Sequence, residues 1–272
     1  MNKHTTEETH GPVRLLRIDR AEAMNALTRE MLEGLREGIT RAGKDETIRA
    51  ILLVSTGRAF SVGADLNDPM MGFDLPLEKR ADACRETLGG LMNGLIRDIA
   101  SCPVPVITAV NGICAGGGVG LALAADLVVA ARSAKFLIGF VPVLGLTPDL
   151  GTTWQLTRKL GRSRALGLAM TGRDIPAEDA ERWGLIWQTV ADDALEDEAM
   201  TLAQQLASGP NEAQIALREL IDAAGENTLS EQLDYECELQ ARRTASPEVA
   251  EAVSAFLGKR KPDFISLGRK PG

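Results

Sequence analysis

A chain of 272 residues with a formal net charge of −8 and 44% apolar residues is long enough for one large globular domain, or one domain with a smaller appendage. Its 30 Lys and Arg against 38 Asp and Glu exclude a nucleic-acid partner as the expectation, because phosphate binding rests on clustered basic side chains. Cys84, Cys102, Cys114 and Cys237 stand far apart with no C-x-x-C, which argues against a zinc site and a disulfide framework and fits a reducing cytoplasm.

Residues 1–10 are polar and lack both an apolar core and an Arg-rich amphipathic pattern, so no secretory or transit signal is read there. Both histidines, His4 and His10, sit in this polar tail. Apolar residues alternate over residues 13–18, predicting a strand, then recur at Leu27, Met31, Leu35 and Ile39, predicting a helix. Residues 50–54 read as a second, buried strand. A loop over 56–68 leads to a Pro- and Gly-punctuated linker, 69–79, expected to be mobile, and then to a helical pattern through Leu88, Leu91, Leu95 and Ile99.

Pro103 and Pro105 introduce a buried strand at 106–110, and Gly116, Gly117 and Gly118 open a short helix running through Leu123. Another strand follows at 127–130. The most apolar run, 119–131, is interrupted by Asp126 and is too short to span a membrane. Strand signals stop near 190, and 194–207, 213–223, 229–243 and 248–257 read as successive helices. The alternation predicts an α/β fold with buried parallel strands and a helical C-terminal region, in which strand-helix units stack as turns of a spiral.

Three segments carry chemistry. Residues 57–66, GRAFSVGADL, follow a buried strand; small residues let a ligand approach the backbone, and exposed N–H groups at such a turn can hold an oxyanion. The plain alternative is a turn in which Asp65 caps local N–H groups. Residues 111–120, NGICAGGGVG, leave a strand and enter a helix, whose N-terminus suits an enolate or phosphate oxygen; tight helix-strand packing is the alternative. A dinucleotide fingerprint fails because Leu121 stands where its third glycine belongs. Residues 145–154, GLTPDLGTTW, offer Asp149, which as a plain alternative would cap a helix beginning near Leu150. With no G-x-S-x-G and both histidines in the tail, a Ser-His-Asp hydrolase is excluded.

The run Ala59-Phe60-Ser61-Val62-Gly63-Ala64-Asp65, the run from Val110-Asn111-Gly112 to Gly118, and the spacing between them resemble the crotonase, or enoyl-CoA hydratase/isomerase, superfamily over residues 13–264. The resemblance implies a crotonase-like spiral of strand-strand-helix turns over 11–195. It implies a helical region, 196–272, that serves oligomerisation as a homotrimer or dimer of trimers and completes a CoA site. By the same resemblance the oxyanion hole is the backbone N–H of Ala64 and of Gly117, and the backbone of Ala64, Asp65, Leu66 and Asn67 flanks CoA. Phe256 and Lys259 match positions that reach a neighbouring subunit's CoA, the lysine at a phosphate. No cofactor is implied beyond the coenzyme A of an acyl-CoA thioester substrate, and no metal or membrane. Independently, Lys259, Arg260 and Lys261 form a small basic cluster, compatible with phosphate and equally with a solvated helix end.

Hydratases of this superfamily carry two glutamates where this chain has Gly120 and Val141. Adding water to a double bond needs a positioned base and acid, and neither residue exchanges a proton. The segments 145–154, 161–172 and 183–187 look like the phenylacetate-pathway 1,2-epoxyphenylacetyl-CoA isomerase subgroup, which places a catalytic aspartate at the position of Asp149. A dehalogenase branch also has an aspartate there but relies on a histidine base, and is the weaker reading. Phe140, Val141, Val143, Leu144 and Leu146 are expected to surround Asp149 and raise its pKa from an ordinary value of about 3.9. The expected activity is an acyl-CoA isomerase that shifts a double bond or opens a ring epoxide. The alternatives are a hydratase with a degenerate acid/base pair and a CoA-thioester-binding protein without turnover.

Overall fold

The computed structural model describes residues 3–269; Met1 and Asn2 of the polar segment and residues 270–272 of the helical region lie outside them. Residues 5–10, read above as part of a tail, form strand β1 (Thr5–His10), which turns at Gly11 and pairs antiparallel with β2 (Val13–Ile18). It is an edge strand, exposed along most of its length. A polar edge that discourages further pairing has no reason to alternate, which is why periodicity missed it.

Helix α1 (Arg29–Lys44) starts where Thr28 Oγ1 accepts the Met31 N–H at 3.3 Å, and it buries Met31, Leu32, Leu35 and Ile39. Strand β3 (Ala50–Ser55) is buried throughout and is followed by the short β4 (Ala59–Ser61). The linker is tied down: Asp68 caps a 3-10 turn at Pro69–Met71, and Thr87 Oγ1 donates to Met70 O at 2.7 Å. The next predicted helix is α2 (Leu77–Glu86) and α3 (Asn93–Ala100), joined by a π-helical stretch, Thr87–Met92, that contains two glycines.

Then come β5 (Val106–Val110), β6 (Ile113–Ala115), α4 (Gly117–Leu123), β7 (Leu127–Ala131), β8 (Lys135–Leu137) and α5 (Thr152–Thr171). The core closes with β9 (Ile175–Pro176), α6 (Ala177–Arg182) and β10 (Gln188–Val190). The large sheet runs β1-β2-β3-β5-β7-β10, parallel apart from its first pair, and the small sheet runs β4-β6-β8-β9, parallel apart from its last. Each turn therefore places one strand in the large sheet, one in the small sheet, and then a helix: β3-β4-α2/α3, β5-β6-α4, β7-β8-α5. This is the expected strand-strand-helix spiral. The central strands β3, β5 and β7 were legible as largely apolar runs because both faces are covered. The small-sheet strands are too short to show a period.

Helix α7 (Leu195–Ala207) lays the fully buried Ala199, Ala203 and Ala207 across β2, β3, β5 and β7. Spaced four apart, these small residues share one helix face and let the backbone approach the sheet. The limit expected between residues 195 and 196 thus falls at the start of a helix packed on the sheet, and the layer that extends outward begins with α8 (Asn211–Ala224), followed by α9 (Leu229–Thr244) and α10 (Pro247–Leu257). Arg218 clamps α8 to the core, with Nε and Nη2 on the Asp126 carboxylate at 2.6 and 2.7 Å and Nη1 on Cys102 O at 2.6 Å. Glu248 accepts the Glu212 and Ala213 N–H groups at 3.0 and 3.2 Å, capping α8 from α10.

Thr228 and Glu231 form a reciprocal capping box at the start of α9. Thr228→Ala is expected to cost about 1 kcal/mol, read as a fall of about 2–4 °C in Tm that Thr228→Ser restores. On α8, α9 and α10 the apolar side chains of Leu217, Ile221, Leu229, Leu233, Val253 and Leu257 are exposed, in pairs four residues apart that share one face of each helix. Among the described residues, no helix is long and apolar enough to cross a membrane.

Candidate active site

The loop after β4 is built from its hydrogen bonds. Ser61 Oγ donates to Asn25 O at 2.8 Å and accepts the Gly63 N–H at 3.2 Å. Leu27 then makes a parallel bridge to Ala64: its N–H reaches Gly63 O at 2.8 Å, and its carbonyl accepts the Asp65 N–H at 2.9 Å. In a parallel bridge the central residue of the opposite segment turns its own N–H and C=O the other way. The Ala64 N–H therefore points out of the loop, and among the described residues it finds no acceptor.

Asp65 holds this loop in shape. Its carboxylate takes Arg20 Nη1 at 2.8 Å and the Asn67 N–H at 3.0 Å, and those bonds, the Asn67 N–H foremost, keep it below the usual carboxylate range. The local-capping alternative for Asp65 is therefore realised, and it coexists with a free Ala64 amide. Leu66 and Asn67 continue the loop at the surface. Asn25, in the left-handed region and fully buried, anchors the underside: Oδ1 accepts the Arg20 N–H, and Nδ2 donates to Thr56 O and Ala59 O. Sequence reasoning missed both Arg20 and Asn25. The available signal was an Asn between a strand and a helix, since Asn tolerates that conformation better than most residues.

The second loop meets the first backbone to backbone. Gly116 at φ 54, ψ −131 occupies a region open essentially to glycine, and it turns the chain from β6 into α4. Gly117 then opens the helix with an N–H that, among the described residues, has no acceptor. Gly63, at φ 91, lies directly against it: a β-carbon there would stand 3.1 Å from Gly117 N. Two amides from different turns of the spiral, Ala64 and Gly117, are thus brought side by side with their donors unused. Gly117 adds the positive end of the α4 dipole.

Asp149 closes the site from the third turn. It does not cap α5. That helix begins at Thr152 with Gly151 at its cap position and no side-chain capping bond, and Asp149 contributes only its main-chain carbonyl, which accepts the Thr152 N–H at 2.9 Å. Asp149 Oδ1 is buried without a hydrogen-bond partner and lies 3.4 Å from where a Gly117 β-carbon would stand. Burial pushes its pKa up to about 6.

The expected cause of that burial is corrected. Of the five apolar neighbours only Phe140 is buried, while Val141, Val143, Leu144 and Leu146 line an exposed turn over residues 140–146. Gly117, from the preceding turn of the spiral, lies beside the Asp149 carboxyl, and Leu150, next to it in the chain, is 3% exposed. Leu150 is held at φ 51, a conformation that costs a non-glycine residue about 1–2 kcal/mol.

Gly120 is not an empty glutamate position. A β-carbon there would lie 2.6 Å from Leu150 O, 2.7 Å from Leu150 Cβ and 2.8 Å from Thr152 Oγ1, so the 150–152 segment fills that space. Val141, at the other glutamate position, is partly exposed. His4 and His10 lie at the β1 edge, where His4 Nδ1 contacts Asp19 O at 3.2 Å and His10 pairs with Glu8. No histidine serves as a base here.

Phe256 and Lys259 stand apart, at the outer end of α10, Phe256 being 83% exposed. The basic cluster beside them is smaller than its sequence suggests. Arg260 holds the Glu251 carboxylate with both Nη atoms, which lowers the Glu251 pKa to about 2 and leaves Lys259 and Lys261 as the two of the three without an ion pair among the described residues.

Comparison with known proteins places the chain in a family. Residues 8–267 match the enoyl-CoA hydratase/isomerase family model. The chain is 44% identical over 252 residues to the 1,2-epoxyphenylacetyl-CoA isomerase of Escherichia coli (strain K12), covering 93% of this chain and 94% of that protein. It is 41% identical to a Rhodobacter capsulatus protein bearing the name "Probable enoyl-CoA hydratase", with 97% and 99% of the two chains covered. Among solved structures, an enoyl-CoA hydratase from Polaromonas sp. JS666 superposes with a TM-score of 0.88 at 33% identity, over 95% of this chain and 98% of that one. Relatives thus carry both isomerase and hydratase names.

Proposed function

The chain belongs to the enoyl-CoA hydratase/isomerase family, and we propose that within it the protein is an acyl-CoA isomerase, shifting a double bond or opening a ring epoxide in a CoA thioester. One observation carries this reading: among the described residues Asp65 is engaged by Arg20 and Asn67, whereas Asp149 brings a buried, unpartnered Oδ1 to the paired amides with no second acid at residue 120 or 141.

The thioester carbonyl oxygen accepts from the Ala64 and Gly117 N–H groups, which stabilise negative charge as a proton leaves an adjacent carbon. Each such donor is worth about 3–4 kcal/mol of barrier. Asp149, ionised, takes the proton and returns it to another carbon of the dienolate. One carboxyl does both jobs because no water is added. In the epoxide version the same two amides polarise the thioester while the ring opens. The backbone of residues 64–67 flanks CoA, and Phe256 and Lys259 reach a neighbouring subunit's CoA, Lys259 at a phosphate. The exposed apolar faces of α8, α9 and α10 support assembly as a homotrimer or a dimer of trimers. The 44% identity to the Escherichia coli isomerase favours an aromatic acyl group of phenylacetate catabolism, handled in the cytoplasm.

The test is turnover of 3-enoyl-CoA thioesters and of 1,2-epoxyphenylacetyl-CoA, followed by product chromatography. Isomer formation without a hydroxyacyl product supports the assignment. Thioester binding with no turnover of either would replace it with the binding-only reading. The base must be ionised to act, so with a pKa of about 6 kcat/KM is expected to fall about tenfold per pH unit below pH 6 and to level off above pH 7. An ordinary aspartate would leave the profile flat down to about pH 5.

A further inference from the structure

Leu150 combines three observations that Asp149's role does not explain. It is a buried leucine held in the left-handed region, and it lies along α4. Its Cβ end sits against Gly120 and its Cδ1 end against Gly117, where a β-carbon would be 3.0 Å away. It is also flanked by two buried oxygens without partners, Asp149 Oδ1 at the Gly117 end and Thr152 Oγ1 at the Gly120 end. Strain kept at a reactive site calls for a functional reason.

Resting on the isomerase reading, we infer that Leu150 is a specificity-determining wedge: its side chain fills space between Asp149 and Thr152 that would otherwise hold a water, and so commits the enoyl thioester to isomerisation rather than hydration. A water is retained in a cavity when the space holds it and two or more polar groups meet it. Both groups are present, Asp149 Oδ1 at the Gly117 end and Thr152 Oγ1 at the Gly120 end, and the Leu150 side chain runs along α4 from one end to the other. With that group removed, a water hydrogen-bonded to Thr152 Oγ1 and Asp149 Oδ1 stands beside the only base of the site.

Hydration then proceeds with the same residues. The water oxygen bonds to the β-carbon of a 2-enoyl thioester as its proton passes to Asp149. The π electrons of the double bond move onto the thioester oxygen between Ala64 and Gly117. The enolate collapses as Asp149 delivers the proton to the α-carbon. One water is consumed, one C–O and one C–H bond form, and no oxidant or further acid is required.

The experiment partitions a single substrate. With a 2-enoyl-CoA, initial rates of 3-hydroxyacyl-CoA and of 3-enoyl-CoA formation are compared between the parent, Leu150→Gly and Leu150→Asn. Glycine opens the cavity and is at ease at φ 51, whereas asparagine tolerates that φ and keeps most of the volume but brings a polar amide. Leu150→Gly is expected to raise the hydration-to-isomerisation ratio about tenfold or more, and Leu150→Asn, which keeps most of the volume, to stay within about twofold of the parent's. A Leu150→Gly ratio within about twofold of the parent's in a variant that still binds the thioester overturns the inference, as does a Leu150→Asn ratio that rises as far as glycine's. Loss of thioester binding in both also overturns it, because Leu150 would then be a plug needed to assemble the site. A parent that isomerises with unchanged partition in Leu150→Gly sinks this inference alone; a parent that isomerises nothing sinks the isomerase reading with it.

Discussion

Asp149→Asn is expected to lower kcat for 3-enoyl-CoA isomerisation about 10³-fold and to leave CoA-thioester binding close to the parent's. The amide matches the carboxylate in size, so the pocket keeps its shape, but it takes up no proton. Stability adds a second readout. Because the folded chain holds the Asp149 proton up to about pH 6 while an ordinary carboxyl releases it near 3.8, folding is favoured at low pH. That contribution is lost as pH rises through this window, by up to about 2–3 kcal/mol. The neutral amide escapes the loss. Asp149→Asn should therefore melt higher than the parent at pH 8, and the gap should close at pH 4. A helix-capping aspartate would behave differently, since Asn caps about as well as Asp and the melting temperatures would agree at both pH values. Unchanged turnover would remove Asp149 from the chemistry.

Gly63→Ala is expected to cut kcat/KM by about 10²–10³, the loss that follows when an oxyanion donor is displaced. The new methyl would stand 3.1 Å from Gly117 N and 3.2 Å from Ala115 O, and the position is held at φ 91. The contacts are backbone atoms, so relief requires the two loops to part, and parting separates the Ala64 and Gly117 amides. The fall should appear mainly in kcat, because charge on the thioester oxygen develops only on the way to the enolate. If the amide pair has no such role, Gly63→Ala lowers Tm and leaves kcat near the parent's. Combined with Asp149→Asn, the two losses should not simply add, because both act on one enolate.

Much of the fold was readable because burial imposes composition. Residues 50–54 are apolar without interruption and 106–110 apart from Thr108, as befits strands covered on both faces, and Gly116, Gly117 and Gly118 marked where a strand turns into a helix. The C-terminal helices announced themselves by period. The short strands β4, β6 and β8 did not, although they set the two loops side by side; three residues carry no pattern.

The site was partly legible in the same way. Ala64, Gly117 and Asp149 were expected by resemblance, and Gly120 and Val141 stand where that resemblance expects glutamates. Reading Asp149 as a cap and surrounding it with residues 140–146 were both reasonable from local sequence, and tertiary structure overrode both. Val141, Val143, Leu144 and Leu146 turn to the surface, while Gly117, from the preceding turn of the spiral, lies beside the Asp149 carboxyl.

The sequence by itself determined the acidic α/β character, the helical C-terminal layer, and the presence of Gly120, Val141 and Asp149 at the positions on which the functional reading turns. Only the tertiary structure decided that the Ala64 and Gly117 amides are free, that Asp149 Oδ1 is buried without a partner, and that Leu150 fills the ground beside Gly120. The physical reason is range. Composition and period report what each segment must bury, whereas an unpaired amide, a raised pKa and a filled cavity depend on contacts between segments that are distant in the chain.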